Sequence, residues 1–244
     1  MKKKIKYGII IIIIVWGIII PIGKRIHENS HVKFADETMG EVISRYVRGG
    51  NIAPEDVTYK DLKSITRLDI GFSVYYETIT DIKYCTGVKK IIINLSARKN
   101  EPSWYVNEGK VDREPTKEEM EKLQEELGEI LPKLPNLKVL YLSNKGGSIW
   151  TSVEFLKNCD QIEEISIYGS SATDYSALKT CTSAKKISLG GSQISKAEDI
   201  IGLSNLEYIG IDDTPLAENE EEVKKLQEAY PDALIDVLVE SKDR

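Results

Sequence analysis

The chain has 244 residues, with 33 Lys and Arg against 39 Asp and Glu, two His and three Cys. A net charge of −6 offers nucleic-acid phosphates no basic face, three Cys are too few and too odd for a disulfide framework, and two His leave little for imidazole chemistry. The charge is uneven: residues 1–25 hold Lys2, Lys3, Lys4, Lys6, Lys24 and Arg25 and no acid, so the remaining 219 residues carry 27 basic against 39 acidic groups, a balance of −12.

From Tyr7 to Gly23 no residue is charged, and eleven of the first 22 residues are Ile. This run predicts an N-terminal transmembrane helix through residues 7–23, about 25 Å long at about 1.5 Å per residue, at the short end of what spans a bilayer. A cleaved signal segment is the alternative for residues 1–25, although Pro21, Ile22 and Gly23 make a poor small-x-small cleavage site. In both cases the flanking lysines keep the N-terminus cytoplasmic, place residues 26–244 outside the cytoplasm, and leave a secreted body if cleavage occurs. His27 and His31 fall in a linker, 26–33.

Residues 34–60 read as a helical cap, and 61–216 as a repeat. The phrase is a set of apolar residues three apart that ends in an apolar-x-apolar pair: Leu62, Ile65, Leu68, Ile70, then Ile82, Cys85, Val88, Ile91, Ile93. It returns as Leu131, Leu134, Leu137, Leu140, Leu142, as Leu156, Cys159, Ile162, Ile165, Ile167, as Leu178, Cys181, Ala184, Ile187, Leu189, and as Ile200, Leu203, Leu206, Ile209, Ile211. Measured at Leu68, Ile91, Leu140, Ile165, Ile187 and Ile209 the steps are 23, 49, 25, 22 and 22 residues. The apolar-x-apolar pair predicts a short strand with both apolar side chains on one face. One such unit cannot bury its own apolar edge, so the units stack into a leucine-rich repeat solenoid, an α/β fold with a curved parallel sheet on its concave face.

The 49-residue step holds an insertion, 97–133. Its first part carries Trp104 and Tyr105, aromatics on a long loop and therefore candidate partner contacts. Thr116-Lys-Glu-Glu119 is a capping box, and Met120, Leu123, Leu127, Ile130 and Leu131 follow at helical spacing, which predicts a helix packed on the convex side. Residues 217–244 read as a C-terminal cap.

On these residues the chain resembles the internalin-like bacterial leucine-rich repeat proteins. The likeness extends to both caps: Phe34-Ala-Asp36-Glu-Thr38-Met39-Gly40 with Val42, Ile43 and Tyr46, and Asp213-Thr-Pro215-Leu216 with Glu222, Val223, Leu226, Ala229, Pro231, Leu234 and Ile235. The family pattern has Asn after the strand where this chain has Ser73, Ser96, Lys145, Ser170, Ser192 and Thr214. A hydroxyl can still bond the turn backbone, whereas Lys145 cannot accept.

The outward strand positions are the candidate partner-binding residues: Arg67, Asp69, Lys90, Ile92, Tyr141, Glu164, Ser166, Tyr168, Lys186, Ser188, Tyr208 and Asp212, with Val139 and Gly210 beside them. Cys85, Cys159 and Cys181 share one repeat slot and read as core, although Cys159 and Cys181 are one unit apart and a disulfide between them is conceivable outside the cell. Gly146-Gly147 and Gly190-Gly191 read as tight repeat corners, and Asp212, Asp213 and Glu218 to Glu222 as a solvated helix start without calcium-loop spacing. No catalytic residue, cofactor or metal is expected, and the oligomeric state is open. The expected function is non-enzymatic recognition of a protein, or of a surface glycan, on the outer face of a bacterial cell. The alternative is a structural or accessory subunit of an envelope complex.

Overall fold

The computed structural model describes residue 25 and residues 27–70, 76–94, 115–143 and 150–238. The apolar segment 7–23, Trp104, Tyr105, Ser73, Ser96, Lys145 and Gly146-Gly147 lie outside the described residues. Among the described residues no helix is long and apolar enough to cross a membrane.

The cap begins before its first helix. Within the stretch read as a linker, His31 bridges Thr58, and Val32 is buried with its N–H on Val57 O at 2.8 Å. Helix α1 (Glu37–Ser44) starts at Asp36, whose carboxylate accepts the Met39 N–H at 2.7 Å and that of Glu77 at 2.5 Å. Asp81 reaches back from the first repeat turn and accepts the Ala35 N–H at 2.7 Å, so two buried carboxylates lace the cap to the repeats. Helix α2 (Tyr59–Ser64) has a Thr58 and Asp61 capping box, and Arg48 grips Asp61 through two hydrogen bonds at 2.9 and 2.7 Å.

Seven parallel strands follow in sequence order: β1 (Arg67–Asp69), β2 (Lys90–Asn94), β3 (Val139–Ser143), β4 (Glu164–Ile167), β5 (Lys186–Ser188), β6 (Tyr208–Gly210) and β7 (Leu234–Asp236). Leu68, Ile91, Leu140, Ile165, Ile187, Ile209 and Ile235 stand in register in one column. The first six are buried, as is every other apolar residue of the six repeat phrases. Consecutive strands that pair in order, with β1 to β6 linked through 3-10 turns and β6 to β7 through an α-helix, make this a leucine-rich repeat solenoid with a helical cap at each end.

The opposite wall of the core is a second column. Trp150, Ala172, Ile194 and Leu216 recur at 22-residue steps, and all are buried. Between the columns runs a row of buried hydroxyls. Ser170 Oγ donates to Trp150 O at 2.9 Å and accepts the Ala172 N–H at 3.2 Å, Ser192 Oγ accepts the Ile194 N–H at 3.4 Å, and Thr214 Oγ1 donates to Ile211 O at 2.6 Å. The hydroxyls thus bond the turns where the family pattern places Asn. Cys85, Cys159 and Cys181 are buried free thiols, all pushed up to about 12 by burial, and no disulfide joins them.

The insertion helix α3 (Lys117–Ile130) opens on the expected capping box and buries Met120, Leu123, Leu127 and Ile130. It packs between the 3-10 turns Thr80–Tyr84 and Glu154–Leu156, so a full helix occupies the place that a single turn takes elsewhere. Helix α4 (Glu220–Ala229), capped by Asn219, closes the other end on Leu226, and its acidic first turn sits at the positive end of the helix dipole.

Candidate functional site

The sheet register arranges the outward residues into three rows. The first reads Arg67, Lys90, Val139, Glu164, Lys186, Tyr208, Leu234, and the second Asp69, Ile92, Tyr141, Ser166, Ser188, Gly210, Asp236. The third continues past the strand ends through Asn94, Ser143, Tyr168, Gly190 and Asp212: Tyr168 N–H bonds Leu142 O at 3.0 Å, and Gly191 N–H bonds Asp212 O at 2.8 Å. The twelve strand positions named from sequence therefore share one face of the sheet.

Several of them are joined. Lys90 Nζ lies 4.1 Å from the centre of the Tyr141 ring, Tyr141 Oη donates to Glu164 Oε2 at 3.2 Å, and Lys186 Nζ pairs with Glu164 Oε1 at 3.3 Å. A diagonal of alternating character thus crosses four strands, and burial followed by the Glu164 hydrogen bond and charge raises the Tyr141 hydroxyl above its ordinary range. At the first strand Arg67 stands 3.9 Å from Asp69. Ile92 is half-buried among these polar groups.

The C-terminal half of the face differs. Ser166, Ser188, Gly210 and Gly190 give it a floor of small residues, with Tyr168 and Tyr208 standing on either side. The two glycines leave room for neighbouring side chains. A Cβ at Gly190 would lie 2.5 Å from Asp212 Oδ1, and one at Gly210 would lie 2.9 Å from Tyr208 Oη. Gly191, at φ +64°, supplies the left-handed corner against which Tyr168 rests. Tyr168 is 44% exposed, the most open of the three tyrosines.

Charge at this end is unbalanced. Tyr208 Oη donates to Asp236 Oδ2 at 3.3 Å, and among the described residues neither Asp212 nor Asp236 forms an ion pair. Burial raises the Asp212 carboxyl, a hydrogen bond from its own backbone lowers it, and the charges of Asp236 and Asp213 raise it further. Among the described residues no group of three His, Cys, Asp or Glu could hold a metal ion.

No family model and no curated protein matches the chain. Solved structures similar to it include an internalin (inlF) of Listeria monocytogenes, at 18% identity and a TM-score of 0.45, over 75% of this chain and 53% of that one. An internalin C2 of the same organism, at 15% identity and a TM-score of 0.45, covers 86% of this chain and is itself covered over 88%. A leucine-rich repeat protein of Leptospira interrogans, at 16% and 0.45, covers 72% of this chain and is covered over 38%. This chain spans about half the length of the first and less of the third. The solenoid assignment itself rests on the register and the two core columns.

Outward residues of β7 were not part of the sequence expectation. Leu234, Asp236 and Leu238 extend the rows by one more strand, and the sequence does not mark them, because Asp236 is the one polar residue in Leu234-Ile235-Asp236-Val237-Leu238 and both faces read as apolar.

Proposed function

We propose that this chain is a non-enzymatic protein-binding module, tethered by residues 7–23 to the outer face of a bacterial membrane, which engages its partner through the solvent face of the sheet. The observation that carries this reading is the C-terminal half of that face, where Tyr168 and Tyr208 flank a floor of Ser166, Ser188, Gly190 and Gly210 beside the uncompensated carboxylate of Asp212. Aromatic side chains with polar tips around a shallow floor suit a protein interface, where tyrosine supplies large contact area at small entropic cost. Solenoids display their binding surface on this side because every repeat contributes a strand to it. The tether follows from the charge-free, Ile-rich run between two basic flanks.

Replacing Tyr141, Tyr168 and Tyr208 together by Ser in the full chain, on intact cells, tests the face. Loss of the cross-linked partners captured by the parent, with the far-ultraviolet spectrum and melting unchanged, is the expected result; unchanged capture overturns it. Protease added outside intact cells should remove residues beyond 30, and full protection would overturn the topology.

A further inference from the structure

The two edges of the sheet are closed differently. At β1 the Tyr46 hydroxyl donates to Asp69 O at 2.8 Å and accepts the Asp69 N–H at 3.1 Å, so the cap occupies the outer edge. β7 is the last strand, and among the described residues nothing pairs with its outer side. Leu234 N–H bonds Glu207 O at 2.9 Å and Asp236 O accepts the Ile211 N–H at 2.9 Å, so these peptide groups face β6. Strand peptide groups alternate in direction, and those of Ile235 and Val237 therefore point away from the sheet.

The side chains beside this open edge are unusual for the surface. Leu234 is 65% exposed and Leu238 74%, with Asp236 between them on the solvent face. An open strand edge beside exposed apolar side chains is a template for another strand. Charge decides which strand. Two copies of β7 paired antiparallel about its centre set Asp236 against Asp236, and like charges directly opposite each other repel. Asp212 adds negative charge near the same corner, as its effect on Tyr208 shows.

We propose that the outer edge of β7 accepts an extended segment of a partner protein as an eighth strand, whose side chains on the solvent face read apolar, basic, apolar. The partner backbone bonds the free groups of Ile235 and Val237, its apolar residues cover Leu234 and Leu238, and its Lys or Arg meets Asp236. This goes beyond the reading of the tyrosine face, and its test reports on β7 alone.

The probe is a blocked peptide, Val-Thr-Lys-Thr-Val, against a control with Glu at the centre, added to the full chain in lipid nanodiscs. The Lys peptide should slow amide exchange at Ile235 and Val237, and the Glu peptide should need about tenfold more for the same effect, the difference between an attractive and a repulsive cross-strand pair. Asp236→Lys should invert that preference. Equal response to both peptides, or no inversion, overturns the proposal. So does slow exchange at these amides without peptide, which means that residues 239–244 or a second copy already covers the edge; sedimentation tells those two apart. The two peptides on the parent chain leave Tyr141, Tyr168 and Tyr208 as they are, and the role of those residues is read from partner capture.

Discussion

Asp212 is a carboxylate held against its own interest. Burial is the largest influence on it, its own backbone N–H partly offsets that, and Asp236 and Asp213 push its pKa further up. A folded-state pKa above the unfolded one means that the fold favours the protonated form. The stabilising contribution is therefore full below the unfolded value of about 3.9 and is lost as pH rises through the folded value. At pH 7 the charge works against the fold. Asp212→Asn should accordingly melt higher than the parent at pH 7, and the gap should close as pH falls below about 4. Melting curves at several pH values check this, and a lower melting point for the variant at pH 7 would show that the carboxylate is already satisfied. A surface residue that lowers stability is a natural candidate for function. Gly190 supports this at the backbone: a side chain there would collide with the Asp212 carboxylate, so the site is built around the charge.

At the scale of the element, helix α3 shows what joins an insertion to a repeat. Its apolar stripe faces the core, but two polar residues stitch it to the coils on either side. Glu126 accepts from Thr78 Oγ1 at 2.7 Å and from the Ile79 N–H at 2.8 Å, and buried Gln124 accepts the Ser152 N–H at 2.9 Å while donating to Met120 O at 2.9 Å. Gln124→Ala leaves the Ser152 N–H without its acceptor, a loss of about 1 to 3 kcal/mol, whereas Glu121→Ala on the exposed face should change stability by less than about 0.5 kcal/mol. Urea unfolding of the two variants decides it, and equal midpoints would make the Gln124 bridge inert. The helix itself was legible because capping boxes and apolar stripes are local patterns. Its stitching was not, because Ser152 and Ile79 lie 28 and 47 residues from their partners in sequence. The same division runs through the rest of the molecule. Strand alternation places the outward residues on one face, while the diagonal from Lys90 to Lys186 depends on side-chain directions that no spacing encodes. The column headed by Trp150 was readable from its 22-residue step, but the repeat phrase anchored on the strands does not contain it.

The whole molecule is a stack in which each strand pairs only with its sequence neighbours, and that geometry decides how damage spreads. Its ends are fastened by specific groups. Asp36, Asp81 and Tyr46 hold the first coil, and at the other end Tyr230 Oη donates to Ile200 O at 2.7 Å while Glu222 accepts the Ala197 N–H at 2.7 Å. In a quasi-one-dimensional fold the end unit has one interface to lose, and an interior unit has two. Leu140, fully buried in the interior strand β3, and Leu226, the buried residue of α4, therefore report differently on the same kind of cavity. Leu140→Ala should cost about 2 to 5 kcal/mol and lower amide-exchange protection in β2, β3 and β4 together, because both neighbouring interfaces weaken. Leu226→Ala should lower protection in β6 and β7 and leave β2 to β4 as they were, since the end coil can open without the rest. Residue-resolved hydrogen exchange on the two variants separates the cases. If both variants lose protection uniformly from β1 to β7, the stack unfolds as one cooperative block, and the nearest-neighbour account of its stability fails.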